Sequence, residues 1–313
     1  MRLPMTKYIF RRLLGIIPTL LIIVTISFFI VRVAPGGPFD GERALPEVVK
    51  RNIEEKYHMN DPLLVQYGRY MFDVMRGDLG PSYRYKDHDV NFYIFQSLPN
   101  SMMLGAVAIS IAILFGITSG MLAAVKQNTW VDYLSMAIAV VGISVPLFVI
   151  GPVLQYVFAM KLQWLPTSGW FTSGDGWKTI ILPAITLAFL DFATIARLTR
   201  SSMLETLRSD YIRTAKAKGM KNSSIIFKHA MKGAMLPIVS YLGPAFAGII
   251  TGSVVVEQVF RIPGLGKFFV QSSFNRDYTL IVGVVIVYSV ILVIMNFFVD
   301  IIYSLLDPRI TYK

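Results

Sequence analysis

Six apolar stretches, each of 18 residues or more, constrain what this 313-residue chain can fold into more than any other feature. They run over Leu13–Val31, Leu98–Val125, Tyr133–Met160, Thr179–Ala196, Gly233–Val256 and Tyr278–Val299, and Asp191 is the one charged residue inside them. A bilayer core about 30 Å thick is crossed by about 20 apolar residues in a helix, whereas a barrel strand needs only about 10 alternating ones. The pattern predicts an all-α polytopic membrane protein with six transmembrane helices. Composition agrees, with 54% hydrophobic and 16% charged residues, where a soluble domain carries about 25% charged. The chain has no cysteine, which excludes disulfide scaffolds, thiolate-bound metals and thiol nucleophiles together.

Charge placement assigns the sides. Six spans put both termini on one face. On that face Lys and Arg number four in 1–12, one in 126–132, nine in 197–232 and two in 300–313, against five in 161–178 and 257–277. The positive-inside rule then predicts cytoplasmic termini and cytoplasmic 126–132 and 197–232. The 32–97 segment is extracytoplasmic by alternation, and it is too long for its own charges to count. The net charge of +11 therefore reads as topology and contact with lipid, not as nucleic-acid binding. Trp130, Trp164, Trp170 and Trp177 flank spans as interfacial anchors do. The first span is longer than the 7–15 residues of a signal-peptide core and is read as a retained helix.

Along the outer segment, Ala34-Pro35-Gly36-Gly37-Pro38 reads as a turn and Pro46–Lys56 has helical composition. Asn60-Asp61-Pro62 reads as a capped helix start. The stripe Leu63, Leu64, Tyr67, Tyr70, Met71, Val74 and Met75 follows at helical spacing, until Gly77-Asp78-Leu79-Gly80-Pro81 ends it. This helix is either a lid on the spans or a contact for an extracytoplasmic partner. The 28-residue runs exceed one simple crossing, so tilt or kinks are expected. Pro146 and Pro152 in the third run belong to a packed interior or to a flexing pathway wall.

The 197–232 loop carries the most information. Ser209 or Asp210 can cap a helix over Tyr211–Lys218, with Gly219 as a left-handed terminator. Asn222-Ser223-Ser224 offers a second cap leading through Ile225–Met231 into the fifth span. Tyr211, Ile212 and Ala215 are read as one face. So short a helix is marginal alone in water, which points either to docking in another protein's groove or to a basic loop on anionic lipid.

The string Tyr211-Ile212-Arg213-Thr214-Ala215-Lys216-Ala217-Lys218-Gly219, followed by Lys228-His229-Ala230 and Leu236-Pro237, resembles the coupling loop of peptide-importing ABC permeases. The general importer pattern is Glu-Ala-Ala, three residues, Gly, nine residues, Ile-x-Leu-Pro. This chain keeps Ala215 and Gly219 but has Arg213, Thr214, His229, Met231 and Lys232 at the other defined positions. Those departures resemble the B-type subunit of oligopeptide transporters. Further matches are Arg11-Arg12-Leu13-Leu14, Asp61-Pro62, Gly77-Asp78-Leu79-Gly80 with Ser82, Arg197-Leu198-Thr199-Arg200, Pro263-Gly264-Leu265-Gly266, Asn275-Arg276-Asp277-Tyr278 and Leu306-Asp307-Pro308-Arg309-Ile310. The resemblance implies a type I ABC importer permease of the bacterial inner membrane that binds no cofactor itself. It also implies a second permease, two ATP-binding subunits using ATP and Mg²⁺, an extracytoplasmic peptide-binding protein and a peptide substrate. Tyr211 to Gly219 would couple to the ATP-binding subunits.

Ionisable groups in spans are candidates for substrate contact. Asp191 could bind a peptide amine or pair with a partner subunit, while Glu257 and Asp300 sit at span ends as interfacial caps. Asp191, Pro146 and Glu257 are the candidate pathway residues. An ion-coupled secondary transporter is the alternative. An enzyme is disfavoured, because His58, His88 and His229 lie outside the spans and neither a His-Glu-x-x-His nor a P-loop string occurs.

Overall fold

The computed structural model describes residues 5–33, 51, 55, 58–85, 88–171, 174, 176–252 and 254–306. The turn predicted at Ala34–Pro38, most of the helical composition at Pro46–Lys56 and the 307–313 tail lie outside the described residues. Among the described residues the chain is helical with no strand, apart from one bridge between Pro81 and Asp89. In chain order the helices are α1 (Met5–Val33), α2 (Leu63–Met75), α3 (Val90–Val125), α4 (Trp130–Ser144) and α5 (Leu147–Leu154, extended by a π segment to Lys161). They continue with α6 (Lys178–Leu207), α7 (Asp210–Ala217), α8 (Met231–Gly252), α9 (Val254–Phe260), α10 (Gly266–Asn275) and α11 (Tyr278–Leu306). A short turn Asn222–Ser224 and a π segment Ile225–Ala230 lead into α8.

Four of these helices, α1, α3, α6 and α11, are each long and apolar enough to cross a bilayer, and α4 and α5 are apolar enough to do so together as one bent pair. The fifth apolar run is carried mainly by the 22-residue α8. The third run was expected to be one tilted or kinked span, yet it bends by 113° between Ser144 and Leu147. The cause is local. Proline disfavours α geometry at the residue before it, and Val145 accordingly has φ −96° and ψ 122° ahead of Pro146 at φ −62° and ψ 146°.

The chain divides into two compact units, one of residues 1–10, 102–262 and 292–313, the other of 11–101 and 263–291. In the first unit α6 is the axis: 67% of its most apolar stretch is buried, against 11% for α1. Lipid supplies no hydrophobic force between helices, so close backbone approach at small residues has to hold them. Gly116 and Gly120, four residues apart on α3, lie against α6; a Cβ at Gly120 would fall 2.3 Å from the Ala196 carbonyl oxygen. A Cβ at Gly142 of α4 would likewise fall 2.9 Å from Ala193 Cβ and from the Phe189 carbonyl oxygen of α6. Trp170 is buried in this core at 7% exposure, not placed as an interfacial anchor, whereas Trp130, Trp164 and Trp177 are exposed.

In the second unit the organising group is Asp277, which is fully buried. Its carboxylate accepts from Ser82 Oγ, from the backbone N–H groups of Tyr83 (3.2 Å) and Leu280 (3.3 Å), and from Thr279 Oγ1 (3.1 Å). Thr279 is 3.1 Å from Asp277 and 2.6 Å from the Pro81 carbonyl oxygen, so the two segments are tied at several points. The α2 helix packs on α1 through Thr25 Oγ1 and Tyr67 Oη (2.7 Å) and through Phe28 against Tyr67 and Tyr70. The start of α2 differs from expectation: Asp61 does not cap it but binds Arg69 Nη2 at 2.9 Å.

Gly120→Val should therefore lower the melting temperature of the detergent-purified chain by several degrees, since overpacking costs about 1–3 kcal/mol. Gly15→Ala, where an added Cβ meets nothing within 4 Å, should leave it unchanged. Equal melting of both variants would contradict glycine-mediated packing on α6.

Candidate coupling and pathway sites

The α7 helix is built from a local sequence with a defined start and stop. Ser209 occupies the N-cap position with extended backbone, but its hydroxyl turns back to the Thr206 carbonyl (2.6 Å) instead of capping α7. At the other end Gly219 has φ +74°. Its N–H donates to the Lys216 carbonyl (3.0 Å), and Met220 N–H donates to the Ala215 carbonyl (3.3 Å). That pair of bonds is a Schellman stop, which requires a left-handed residue where glycine carries no Cβ penalty.

The seating of α7 corrects the expected docking face. Ile212 is completely buried and Ala215 is 8% exposed, both in a cluster with Ala124 of α3, Met203 of α6, Ile225 and Ala230 of the π segment and Ala234 of α8. Tyr211 is half exposed, and its hydroxyl lies where a Cβ on Gly233 would approach to 3.2 Å. Ile212 and Ala215 thus fasten the helix to its own chain. Arg213, Thr214, Lys216, Ala217, Lys218 and Gly219 are exposed, together with Tyr211. The Arg213–Asp210 pair at 3.5 Å is largely solvated and contributes at most about 1 kcal/mol.

A second feature near this end of α6 was not singled out from sequence. Arg200 forks onto Asp132 of α4, with Nε to Oδ1 at 2.6 Å and Nη2 to Oδ2 at 2.8 Å. Asp132 is 2% exposed and also accepts the Asn128 N–H at 3.0 Å. The partners are 68 residues apart, so nothing in local spacing signals the pair.

The candidate pathway residues do not share one environment. Asp191, 7% exposed on α6, accepts a 2.7 Å hydrogen bond from Tyr241 Oη of α8, so its partner is internal. Pro146 is exposed at the α4–α5 break. Glu257 is 1% exposed within α9 and is not the water-facing cap expected at a span end.

Comparison with known proteins gives a consistent picture. Residues 112–312 match the family described as "Binding-protein-dependent transport system inner membrane component", and 5–85 match its N-terminal counterpart. The chain is 50% identical to the oligopeptide transport system permease protein OppB of Salmonella typhimurium over 98% of this chain and 100% of that one. It is 44% identical to the dipeptide transport system permease protein DppB of Bacillus subtilis, covering 98% of each. In fold it is similar to an inward-facing structure of the MetNI methionine ABC transporter, with a TM-score of 0.55 and 15% identity, covering 69% of this chain and 97% of that one.

Truncating Arg200 to Met leaves a nearly buried carboxylate without its cation, a change that costs about 3–5 kcal/mol when the pair is fully buried and less here, because Arg200 is 27% exposed. The expected result is a clear drop in melting temperature that Arg200→Lys only partly restores, since lysine cannot reproduce the fork. Full recovery by lysine would show that charge alone suffices.

Proposed function

Because this chain belongs to the family of binding-protein-dependent transport system inner membrane components, we propose that it is a permease subunit of an ATP-driven peptide importer of the bacterial inner membrane. It forms half of the translocation pathway beside a second, related permease. Two ATP-binding subunits on the cytoplasmic face hydrolyse ATP with Mg²⁺, and an extracytoplasmic binding protein delivers the peptide. The chain performs no catalysis and binds no cofactor itself. Full-length similarity to permeases named for oligopeptide and dipeptide transport supports the peptide substrate. The termini and the 197–232 loop lie in the cytoplasm, in keeping with their excess of Lys and Arg.

One observation carries the coupling role. The α7 helix presents Tyr211, Arg213, Thr214, Lys216 and Ala217 outward, with Lys218 exposed just past its end, while Ile212 and Ala215 hold it to α6 and α8. A helix so fixed transmits displacement from a partner seated on its outer face to the spans, instead of bending away. Asp191 serves to position α6 against α8 through Tyr241, so Asp191→Asn should lower the yield of assembled complex and leave transport per complex unchanged.

Two experiments test this reading. Ala217→Arg, on the outer face, should reach normal membrane levels yet weaken recovery of the ATP-binding subunits and peptide uptake by about tenfold or more, as misplaced charge in an interface costs several kcal/mol. Gly219→Val should do likewise by straining the left-handed stop, and Lys221→Ala should be silent. Retained association and uptake in both Ala217→Arg and Gly219→Val would remove the coupling assignment. For topology, Met75→Cys (73% exposed) should react with an impermeant thiol reagent from outside intact cells. Ser223→Cys should react only after permeabilisation, and reaction of both from outside would reject the six-span arrangement.

A further inference from the structure

The second unit holds a cavity of about 180 Å³ whose lining includes Arg32, His58, Arg69, Tyr70, Asp73 and Tyr83. Arg32 is the next-to-last residue of α1. Its guanidinium lies 3.5 Å above the Phe28 ring, and Tyr70 packs on the same ring with centroids 5.6 Å apart. The described contacts use Arg32 Nε on Gln66 Oε1 (3.3 Å) and one Nη1 on the Phe28 carbonyl (3.4 Å), both long. A guanidinium has five N–H donors, and among the described residues no carboxylate pairs with it. Arg69, by contrast, is neutralised by Asp61 at 2.9 Å.

Tyr70 supplies an independent sign of a ligand. It is 9% exposed, and among the described residues its hydroxyl has no hydrogen-bond partner. A buried hydroxyl without a partner is unfavourable, so retaining it beside a guanidinium that no described carboxylate neutralises calls for a group that accepts from both. Burial also pushes the Tyr70 pKa upward, keeping the phenol a neutral donor.

We propose that this cavity binds the phosphate of a phospholipid headgroup, held by Arg32 and Tyr70. A phosphate accepts several charge-assisted bonds at once and suits a guanidinium fork. The lipid source follows from what surrounds Arg32. Ile26, Ile30 and Val33 on α1 are 52%, 63% and 82% exposed, so the helix that ends with Arg32 and Val33 also carries an apolar face open to acyl chains. Arg32 stands at the end of a membrane-crossing helix, the level at which headgroups lie. Asp73 on the cavity wall is a counterpart for the ammonium of an ethanolamine headgroup. The inference needs α1 to cross the membrane and does not rest on the coupling role of α7.

The test uses the delipidated, detergent-purified full-length chain with its co-purifying subunits. Phosphatidylethanolamine should raise its melting temperature saturably, and native mass spectrometry should retain a bound lipid. Diacylglycerol with the same chains, and inorganic phosphate alone, should give no shift. Tyr70→Phe keeps the ring on Phe28 and deletes the unpaired hydroxyl. Without lipid it should melt at or above the wild type, yet bind phosphatidylethanolamine several-fold more weakly. Arg32→Gln should weaken binding about tenfold, the equivalent of one charge-assisted contact, while Lys178→Gln elsewhere should not. An equal shift from diacylglycerol, a shift from inorganic phosphate without lipid, or unchanged lipid affinity in both Arg32→Gln and Tyr70→Phe would overturn the proposal.

Discussion

Close backbone approach to α6 is the constraint on which the larger unit depends. Inside a membrane, apolar side chains gain little by leaving lipid for one another, so specificity has to come from fit and from satisfied polar groups. Gly116, Gly120 and Gly142 let two neighbouring helices reach the α6 backbone. Once seated, α6 presents its polar and apolar attachments in order along its length. Asp191 meets Tyr241, Arg200 forks onto Asp132, and Met203 enters the cluster that buries Ile212 and Ala215. One helix therefore connects the membrane interior to the outward-facing α7.

That arrangement gives the family-like spacing of the loop a physical reading. A short helix can be stabilised by docking into a partner or by docking onto its own chain. Here Ile212 and Ala215 do the second, and the Schellman stop at Gly219 fixes where the chain turns. The outer residues Tyr211, Arg213, Thr214, Lys216 and Ala217 stay exposed. A mechanical linker needs both properties, because a partner can only push on an element that does not give way beneath it.

The helical character of the apolar runs was legible, since backbone hydrogen bonding in lipid leaves a helix as the form such runs take. The end of α7 was legible too, because Gly219 follows a run of helix formers. The 113° break at Val145-Pro146 exceeded the kink expected, although the pre-proline restriction contained it. Residue pairs distant in sequence were not legible. Nothing local to Asp132 announces Arg200, and Ser82 and Asp277 each stand in a family-like string that says nothing of their contact. The inward rotation of Ile212 and Ala215 was missed for a related reason: an eight-residue helix has an apolar side, and only the tertiary cluster decides whether that side faces its own chain or another.

The central claim is that α7 moves with α6 as one rigid piece when the ATP-binding subunits close. It is tested most directly by double electron–electron resonance between spin labels at Ser201→Cys on α6 and Lys218→Cys beside α7, both exposed positions in a cysteine-free chain. Measured in the assembled complex with and without trapped ATP, the distance distribution should keep the same mean and width. A shift or broadening on ATP binding would show that α7 pivots on its seat, and the account of rigid transmission through Ile212 and Ala215 would not stand.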